Sequence, residues 1–244
     1  MTIEAILFDL FDTLIMIRKN PDFSSPSFMR MYRFLSRNGV NVPLDRFQEA
    51  YNKARDELYA KADPNLEEPH FNVRIALTLK MLGYNYAASS PLVTSASAEF
   101  CCEFMKYVYL DEDAEPLLRS LHGKYKLGIV SNYAIPECAD KLLETYGLDG
   151  LFDVVVVSGA VNKRKPSPEI FNRTLNALGV SAAETVFVGD TMDADVEGAK
   201  AVGMKAVYVK RREEKQADVL PDGTIKNLTE LTSLLQKIEK KMRP

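Results

Sequence analysis

Two short apolar runs end abruptly in carboxylates. Ala5-Ile6-Leu7-Phe8 runs into Asp9 and Asp12, and Thr185-Val186-Phe187-Val188-Gly189 runs into Asp190, Asp193 and Asp195. Runs of this kind, bounded by Gly and Asp, read as strands buried on both faces. In an open parallel α/β sheet, ligands bind in the crevice beyond the carboxyl ends of the strands. If both runs belong to one sheet, several negative groups converge there. Such carboxylates raise one another's pKa unless a cation neutralises them, which points to a hard, oxygen-loving ion such as Mg²⁺. Capping of the following helix explains a single Asp after a strand. It does not explain two such clusters meeting.

Further groups stand where other strands should end. The apolar stretch Tyr125 to Val130 stops at Ser131-Asn132, which supply a hydroxyl, an amide and backbone N–H groups at the start of a helix. That is a natural cradle for an anion. Lys165, in the basic loop Asn162-Lys163-Arg164-Lys165-Pro166, adds a positive charge just before the next helix. A carboxylate nucleophile, a cation, a hydroxyl and an ammonium around one anionic group are the parts of phosphoryl transfer, where catalysis is mostly positioning and charge neutralisation. Read singly, Ser131 is a helix cap and Lys165 a surface lysine; their order and setting together carry the chemical reading.

The elements that must hold these groups follow from periodicity. From about Phe23 to Tyr107 the pattern is helical: Ser27 to Asn38, with Phe28, Met31, Tyr32 and Leu35 on one face; Leu44 to Ala62; Pro69 to Leu82; and a fourth helix from about Ser95 that carries Phe100, Phe104 and Val108. Short Pro/Gly/Asn connections make this an antiparallel bundle. From Asp111 onward helices and strands alternate: helix 112–122, strand 125–130, helix 136–146, strand 152–157, helix 168–178, strand 185–189, a helix around Val196 to Ala201, strand 206–209 and a last amphipathic helix 228–241. Alternation implies an α/β fold with parallel strands and right-handed crossovers. The first strand cannot bury its edges alone, so it returns to the same sheet, and the bundle is an insertion.

Composition narrows the class. The 244 residues suit one or two domains, with 46% hydrophobic and 27% charged residues and a net charge of −3. Nothing steers the chain to nucleic acid or to a membrane surface. No apolar run approaches the roughly 20 residues of a membrane span, and Met1-Thr2-Ile3-Glu4 has no basic leader, so a cytoplasmic protein is expected. With only His70 and His122, a Ser-His-Asp triad or a multi-histidine metal site is nearly excluded. Cys101, Cys102 and Cys138 have no metal-ligand spacing, and three is the wrong number for a disulfide framework, so reduced, packed thiols are expected.

The chain resembles the haloacid dehalogenase superfamily over nearly its whole length. The resemblance rests on Phe8-Asp9-Leu10-Phe11-Asp12-Thr13-Leu14, on Val130-Ser131-Asn132, on Lys165-Pro166-Ser167-Pro168-Glu169-Ile170-Phe171, and on Val188-Gly189-Asp190-Thr191-Met192-Asp193-Ala194-Asp195 with Glu197 to Met204 behind it. It implies a Rossmann-like core of residues 1–16 and 110–244 and an α-helical cap, inserted at residues 17–109. It also implies that Asp9 forms a covalent ester with the substrate and that Ser131 and Lys165 hold the transferring group, with Asn132 beside them. Mg²⁺ would be held by Asp9, Asp190, Asp195 and the backbone carbonyl of Phe11. The expected activity is Mg²⁺-dependent hydrolysis of a small phosphorylated metabolite.

One position departs from the phosphatase pattern. Where phosphatases of this family carry a second aspartate that protonates the leaving oxygen, this chain has Phe11. Asp12 is the obvious substitute, but in an extended chain it points away from Asp9, so it reaches the site only if the backbone turns there. Dehalogenases of the family put an aromatic residue at this position, because halide leaves without a proton. A metal-independent 2-haloacid dehalogenase is therefore the rival reading, with Arg30, Arg33 or Arg37 as the group for the substrate carboxylate. Against it, Asp190, Asp193 and Asp195 would repel a haloacid and call for a cation. A third reading is a degenerate member that binds a phosphorylated ligand or a protein without turnover; retention of Asp9, Ser131, Lys165 and Asp190 argues against it.

Overall fold

The computed structural model describes residues 2–18, 23–211 and 219–242. The chain opens with β1 (Ala5–Phe8) and β2 (Ile15–Ile17), then runs through four helices, α1 (Ser24–Arg37), α2 (Leu44–Ala62), α3 (Phe71–Met81) and α4 (Pro91–Phe104). It returns through β3 (Val108–Leu110), α5 (Ala114–Leu121), β4 (Lys126–Ser131), α6 (Pro136–Thr145), β5 (Val154–Val157), α7 (Ser158–Val161) and α8 (Pro168–Leu178). It closes with β6 (Thr185–Gly189), α9 (Gly198–Ala201), β7 (Lys205–Val209), β8 (Gly223–Ile225) and α10 (Leu231–Met242).

Six strands form one parallel sheet in the order β5-β4-β1-β6-β7-β8. The first strand thus returns to the same sheet, as expected, and lies between β4 and β6, with Phe8 level with Ile129 on one side and Val188 on the other. All four of its residues are fully buried. Alternate residues face opposite ways: Ile6, Phe8, Ile129, Val186 and Val188 join a core built with α5, α6 and α10, whereas Ala5, Leu7, Val130 and Phe187 join a second core with α8 and α9. Burial on both faces explains why these strands are unbroken apolar runs.

The helical insertion is tied to the sheet by a ribbon that sequence periodicity does not reveal. β2 and β3 pair antiparallel, Ile17 opposite Val108 and Ile15 opposite Leu110. Val108 therefore begins a strand rather than continuing the fourth helix, which starts at Pro91 and stops at Phe104. Within the insertion α1 packs on α4 and α2 on α3. It is fastened over the sheet's carboxyl ends by polar contacts. Phe71 N–H donates to the carbonyl of Ala134 at 2.8 Å, and Arg164 donates to the Leu66 and Glu67 carbonyls and pairs with Asp63 at 2.6 Å. The basic loop is therefore partly a docking element for the insertion.

The expectation of three reduced thiols is corrected. Cys101 on α4 and Cys138 on α6 form a disulfide, with Cα atoms 5.7 Å apart and a sequence separation of 37; Cys102 remains free. An odd cysteine count argues against a full framework but says nothing about which two helices the fold brings together. No helix among the described residues is long and apolar enough to cross a membrane.

Candidate active site

β1 ends at Phe8, and the N–H of Asp9 still donates into the ladder, to the carbonyl of Val188 at 2.9 Å. The strand's last hydrogen bond therefore fixes the first carboxylate at the mouth of the sheet. The chain then folds back, with Leu14 and Ile15 both donating to the carbonyl of Leu10. This turn brings Thr13 Oγ1 within 3.2 Å of Asp9 Oδ2, a contact the sequence reading did not identify although Thr13 lies in the motif.

At the neighbouring strand, Gly189 ends β6 and Asp190 follows it. A single π-helical turn, Met192–Glu197, then curls back, so that Asp195 and Val196 both donate to the carbonyl of Thr191 at 3.2 Å. This irregular turn, a form frequent at functional sites, returns Asp195 beneath the strand end. Its Oδ2 accepts from Thr191 N–H at 2.9 Å and Thr191 Oγ1 at 2.7 Å. A β-carbon at position 189 would overlap the Asp195 carboxylate, so glycine there is a packing requirement. Asp193 is exposed and caps the turn through Ala194 N–H, outside the cluster.

Lys165 sits between the two strand ends. Its Nζ lies 2.6 Å from Asp9 Oδ1 and 2.7 Å from Asp195 Oδ1, with the lysine only 3% exposed. Asn132 positions it: the side-chain amide donates to the Lys165 carbonyl at 2.9 Å and accepts the Lys165 N–H at 2.7 Å. The amide is thus occupied with the backbone of the lysine loop, which includes a cis Lys165–Pro166 bond. Ser131 Oγ is buried without a hydrogen-bond partner among the described residues. An orphaned hydroxyl at a strand end is costly and is satisfied when an anion or water occupies the crevice.

Carboxylate oxygens of Asp9, Asp190 and Asp195 lie within 4.8 Å of one another, and all three residues are buried. Burial pushes the Asp9 carboxyl up from 3.8 to about 6, with Lys165 acting against this and Asp195 with it. Burial also pulls the Lys165 ammonium down, but Asp195 and Asp9 outweigh it and hold it above its ordinary range. Three acids facing one ammonium leave the cluster net negative when ionised. An all-oxygen donor set of this kind fits Mg²⁺.

The remaining expected residues fall elsewhere. The backbone does turn at Asp12, in the left-handed region at φ +58°, but its Oδ1 accepts the N–H of Ile17 at 3.1 Å, bracing the β2 ribbon. Arg30 pairs with Glu99 at 2.5 Å and Glu103 at 3.4 Å, and lines a separate groove with Arg33 and Arg37. The Phe11 ring lies 4.7 Å from Tyr133 and 5.7 Å from Phe104. Together with Asn132 they line a cavity of about 420 Å³ roofed by Tyr51, Tyr59, Phe71, Arg74 and Phe100 of the insertion. Tyr133 Oη is buried without a hydrogen-bond partner among the described residues, and burial raises its pKa. No sequence signal distinguished these insertion residues from ordinary helix core.

The family model described as haloacid dehalogenase-like hydrolase matches residues 3–203. The chain is 29% identical to a glyceraldehyde 3-phosphate phosphatase of Methanopyrus kandleri over 98% of its own length and 99% of the relative's. It is 25% identical to the human N-acylneuraminate-9-phosphatase, covering 98% and 96% of the two chains. In three dimensions it resembles a 2-haloacid dehalogenase from Pseudomonas syringae pv. Tomato DC3000, with a TM-score of 0.72 over 97% of this chain and 100% of the other; at 24% identity that likeness concerns the fold.

Proposed function

Because the chain belongs to the haloacid dehalogenase-like hydrolases, we propose that it hydrolyses a small phosphate monoester, with Asp9 as the nucleophile and Mg²⁺ as the cation its carboxylates hold. The observation that carries this reading is the buried, net-negative cluster of Asp9, Asp190 and Asp195 around Lys165, beside the unpartnered Ser131 hydroxyl. The names of the relatives support a phosphorylated small molecule as substrate.

In the first step an Asp9 oxygen attacks phosphorus and the bond to the leaving oxygen breaks, giving an aspartyl phosphate and an alcohol once that oxygen takes a proton. In the second, water attacks phosphorus, releases inorganic phosphate and regenerates Asp9. Lys165 and Ser131 hold the equatorial oxygens, the roles in which fixed donors lower the barrier most. Mg²⁺, held by Asp9, Asp190, Asp195 and the Phe11 carbonyl, would neutralise charge on the transferring group. Thr13 and Asn132 keep Asp9 and Lys165 in place.

Phe11 favours one competing reading, since a displaced halide needs no proton. The acidic cluster weighs more heavily against it: uncompensated carboxylates repel a haloacid, and compensation by a cation restores the phosphatase. The test is phosphate release from an aryl phosphate with Mg²⁺ and with chelator, beside halide release from 2-chloropropionate. Mg²⁺-dependent phosphate release that vanishes in Asp9→Asn is expected. Chelator-insensitive halide release, or undiminished phosphate release by Asp9→Asn, would overturn the proposal.

A further inference from the structure

The cavity above Phe11 carries a charge that the hydrolytic chemistry does not use. Arg74, on α3, lines it from the insertion, one turn beyond Phe71, whose N–H is bonded to the Ala134 carbonyl just past the carboxyl end of β4. The guanidinium lies 3.5 Å from the centre of the Tyr51 ring, and its Nε donates to the Tyr51 carbonyl at 3.3 Å. These two contacts fix its plane, and the hydrogen bond uses Nε rather than the terminal nitrogens of the fork. Among the described residues no carboxylate comes within ion-pair distance of Arg74.

The other charged group of the cavity is accounted for differently. Glu68 accepts a hydrogen bond from the Tyr59 hydroxyl, and the charge of Arg164 acts on it. Arg164 itself is held by Asp63. The cavity therefore holds one acid that a hydroxyl engages and one cation that, among the described residues, no acid pairs. Its remaining wall is largely aromatic: Phe11, Phe23, Phe71, Phe100, Phe104 and Tyr133. A half-buried guanidinium without an anion is poorly solvated, and burial lowers its pKa accordingly. A planar fork of this kind matches a carboxylate or phosphate in bidentate geometry.

We propose that Arg74 recognises a second oxyanion on the substrate, so that the phosphate ester hydrolysed is one whose leaving alcohol joins a compact apolar or aromatic body to a carboxylate or phosphate. This rests on the phosphatase reading for the position of the first phosphate, at Asp9. The body lies against Phe11 and Tyr133, and the second anion meets Arg74 at the roof. The volume of about 420 Å³ lies within the range of small-molecule sites.

The test compares 4-carboxyphenyl phosphate and hydroquinone bisphosphate with 4-nitrophenyl phosphate, in the intact chain with Mg²⁺. The expected result is a kcat/KM preference for at least one doubly anionic ester. In Arg74→Gln that preference falls by about 10- to 100-fold, the range for a hydrogen bond to a charged group, chiefly through KM. Arg74→Lys, which keeps the charge but loses the fork, restores it only in part. Which ester responds identifies carboxylate or phosphate. No preference in the parent chain, or an equal change in Arg74→Gln for all three esters, would overturn the assignment. Direct titration of the same esters into Asp9→Asn and Asp9→Asn/Arg74→Gln reads binding without turnover. Discrimination that depends on Arg74 there, with no hydrolysis by the parent, would retain this site and discard the phosphatase reading. Absence of discrimination there as well would discard this site.

Discussion

Replacing Phe11 by aspartate should convert a phosphatase limited by proton delivery into a faster one, and only for substrates that need the proton. Phe11 contacts Tyr133 and Phe104 and is half-buried. Losing about half the burial of a phenylalanine, with two aromatic contacts, costs roughly 2–3 kcal/mol, tolerable against a typical stability of about 5–15 kcal/mol. The new carboxyl would stand among aromatic rings, where desolvation favours its protonated form; the same effect takes the neighbouring Asp9 up to about 6. A carboxyl still protonated near neutrality is what a leaving alkoxide requires. A placed general acid is worth about 10²–10⁴ in rate. The assay is kcat for a primary alkyl phosphate and for 4-nitrophenyl phosphate in the parent, Phe11→Asp and Phe11→Asn. Phe11→Asp should raise the alkyl phosphate by that factor and leave the aryl phosphate, whose phenolate departs unaided, nearly unchanged. Phe11→Asn, similar in size but without a proton, should raise neither. A parent that already hydrolyses both esters equally well, or an aspartate variant that accelerates neither, would show that another group delivers the proton.

Other consequences are equally direct. Gly189→Ala should push the Asp195 carboxylate off the strand end; the Mg²⁺ concentration needed for half-maximal activity should rise about tenfold or more, as for loss of metal-site support, and an unchanged requirement would mean Asp195 does not help hold the ion. The folded chain binds the Asp9 proton more tightly than the unfolded chain does, since its pKa is raised from 3.8 to about 6. Folding stability without metal should therefore fall as pH rises through that window, with the loss absent below it and complete above it. Mg²⁺ should accordingly raise Tm more at about pH 7.5 than at about pH 5, and equal increments at both would refute this. The Cys101–Cys138 link closes a loop of 37 residues' separation, worth about 3–4 kcal/mol by loop entropy; reduction should lower Tm by several degrees, and an unmoved Tm would show the link adds nothing.

What the sequence made legible was local. Helix Leu44–Ala62 and helix Pro168–Leu178 begin and end where periodicity puts them, because the chain marks their starts: Pro43 precedes one, and Ser167 accepts the N–H of Glu169 at 3.3 Å ahead of Pro168 in the other. Strand Thr185–Gly189 is legible because burial on both faces leaves an unbroken apolar run. The ribbon of Ile15–Ile17 and Val108–Leu110 is not: three residues are too few for a period, and the partners lie some 90 positions apart. The disulfide and the aromatic cavity fail for the same reason, since both join helices whose neighbours are set only by packing.

Within the site, residue types were legible and their roles only in part. Asp9 and Asp195 converge because β1 and β6 are adjacent and parallel, and Asn132 holds the Lys165 loop beside them. The alternating pattern implies the parallel sheet but not the order of its strands. Asn132 looks like an anion ligand in sequence, yet its amide gives one N–H and one acceptor lone pair to the Lys165 backbone. Asp12 looks like a spare acid, yet a left-handed turn gives its carboxylate to Ile17. A short polar side chain near a strand end is equally suited to bonding a ligand or a neighbouring backbone. Only the path of the chain decides between them, and it brings the Asn132 amide to the Lys165 backbone and one Asp12 oxygen to the Ile17 N–H. By the same logic Ser131 Oγ at the strand end, without a hydrogen-bond partner among the described residues, and the Arg74 guanidinium at the cavity roof, which no carboxylate of those residues pairs, are groups suited to meet what enters the crevice.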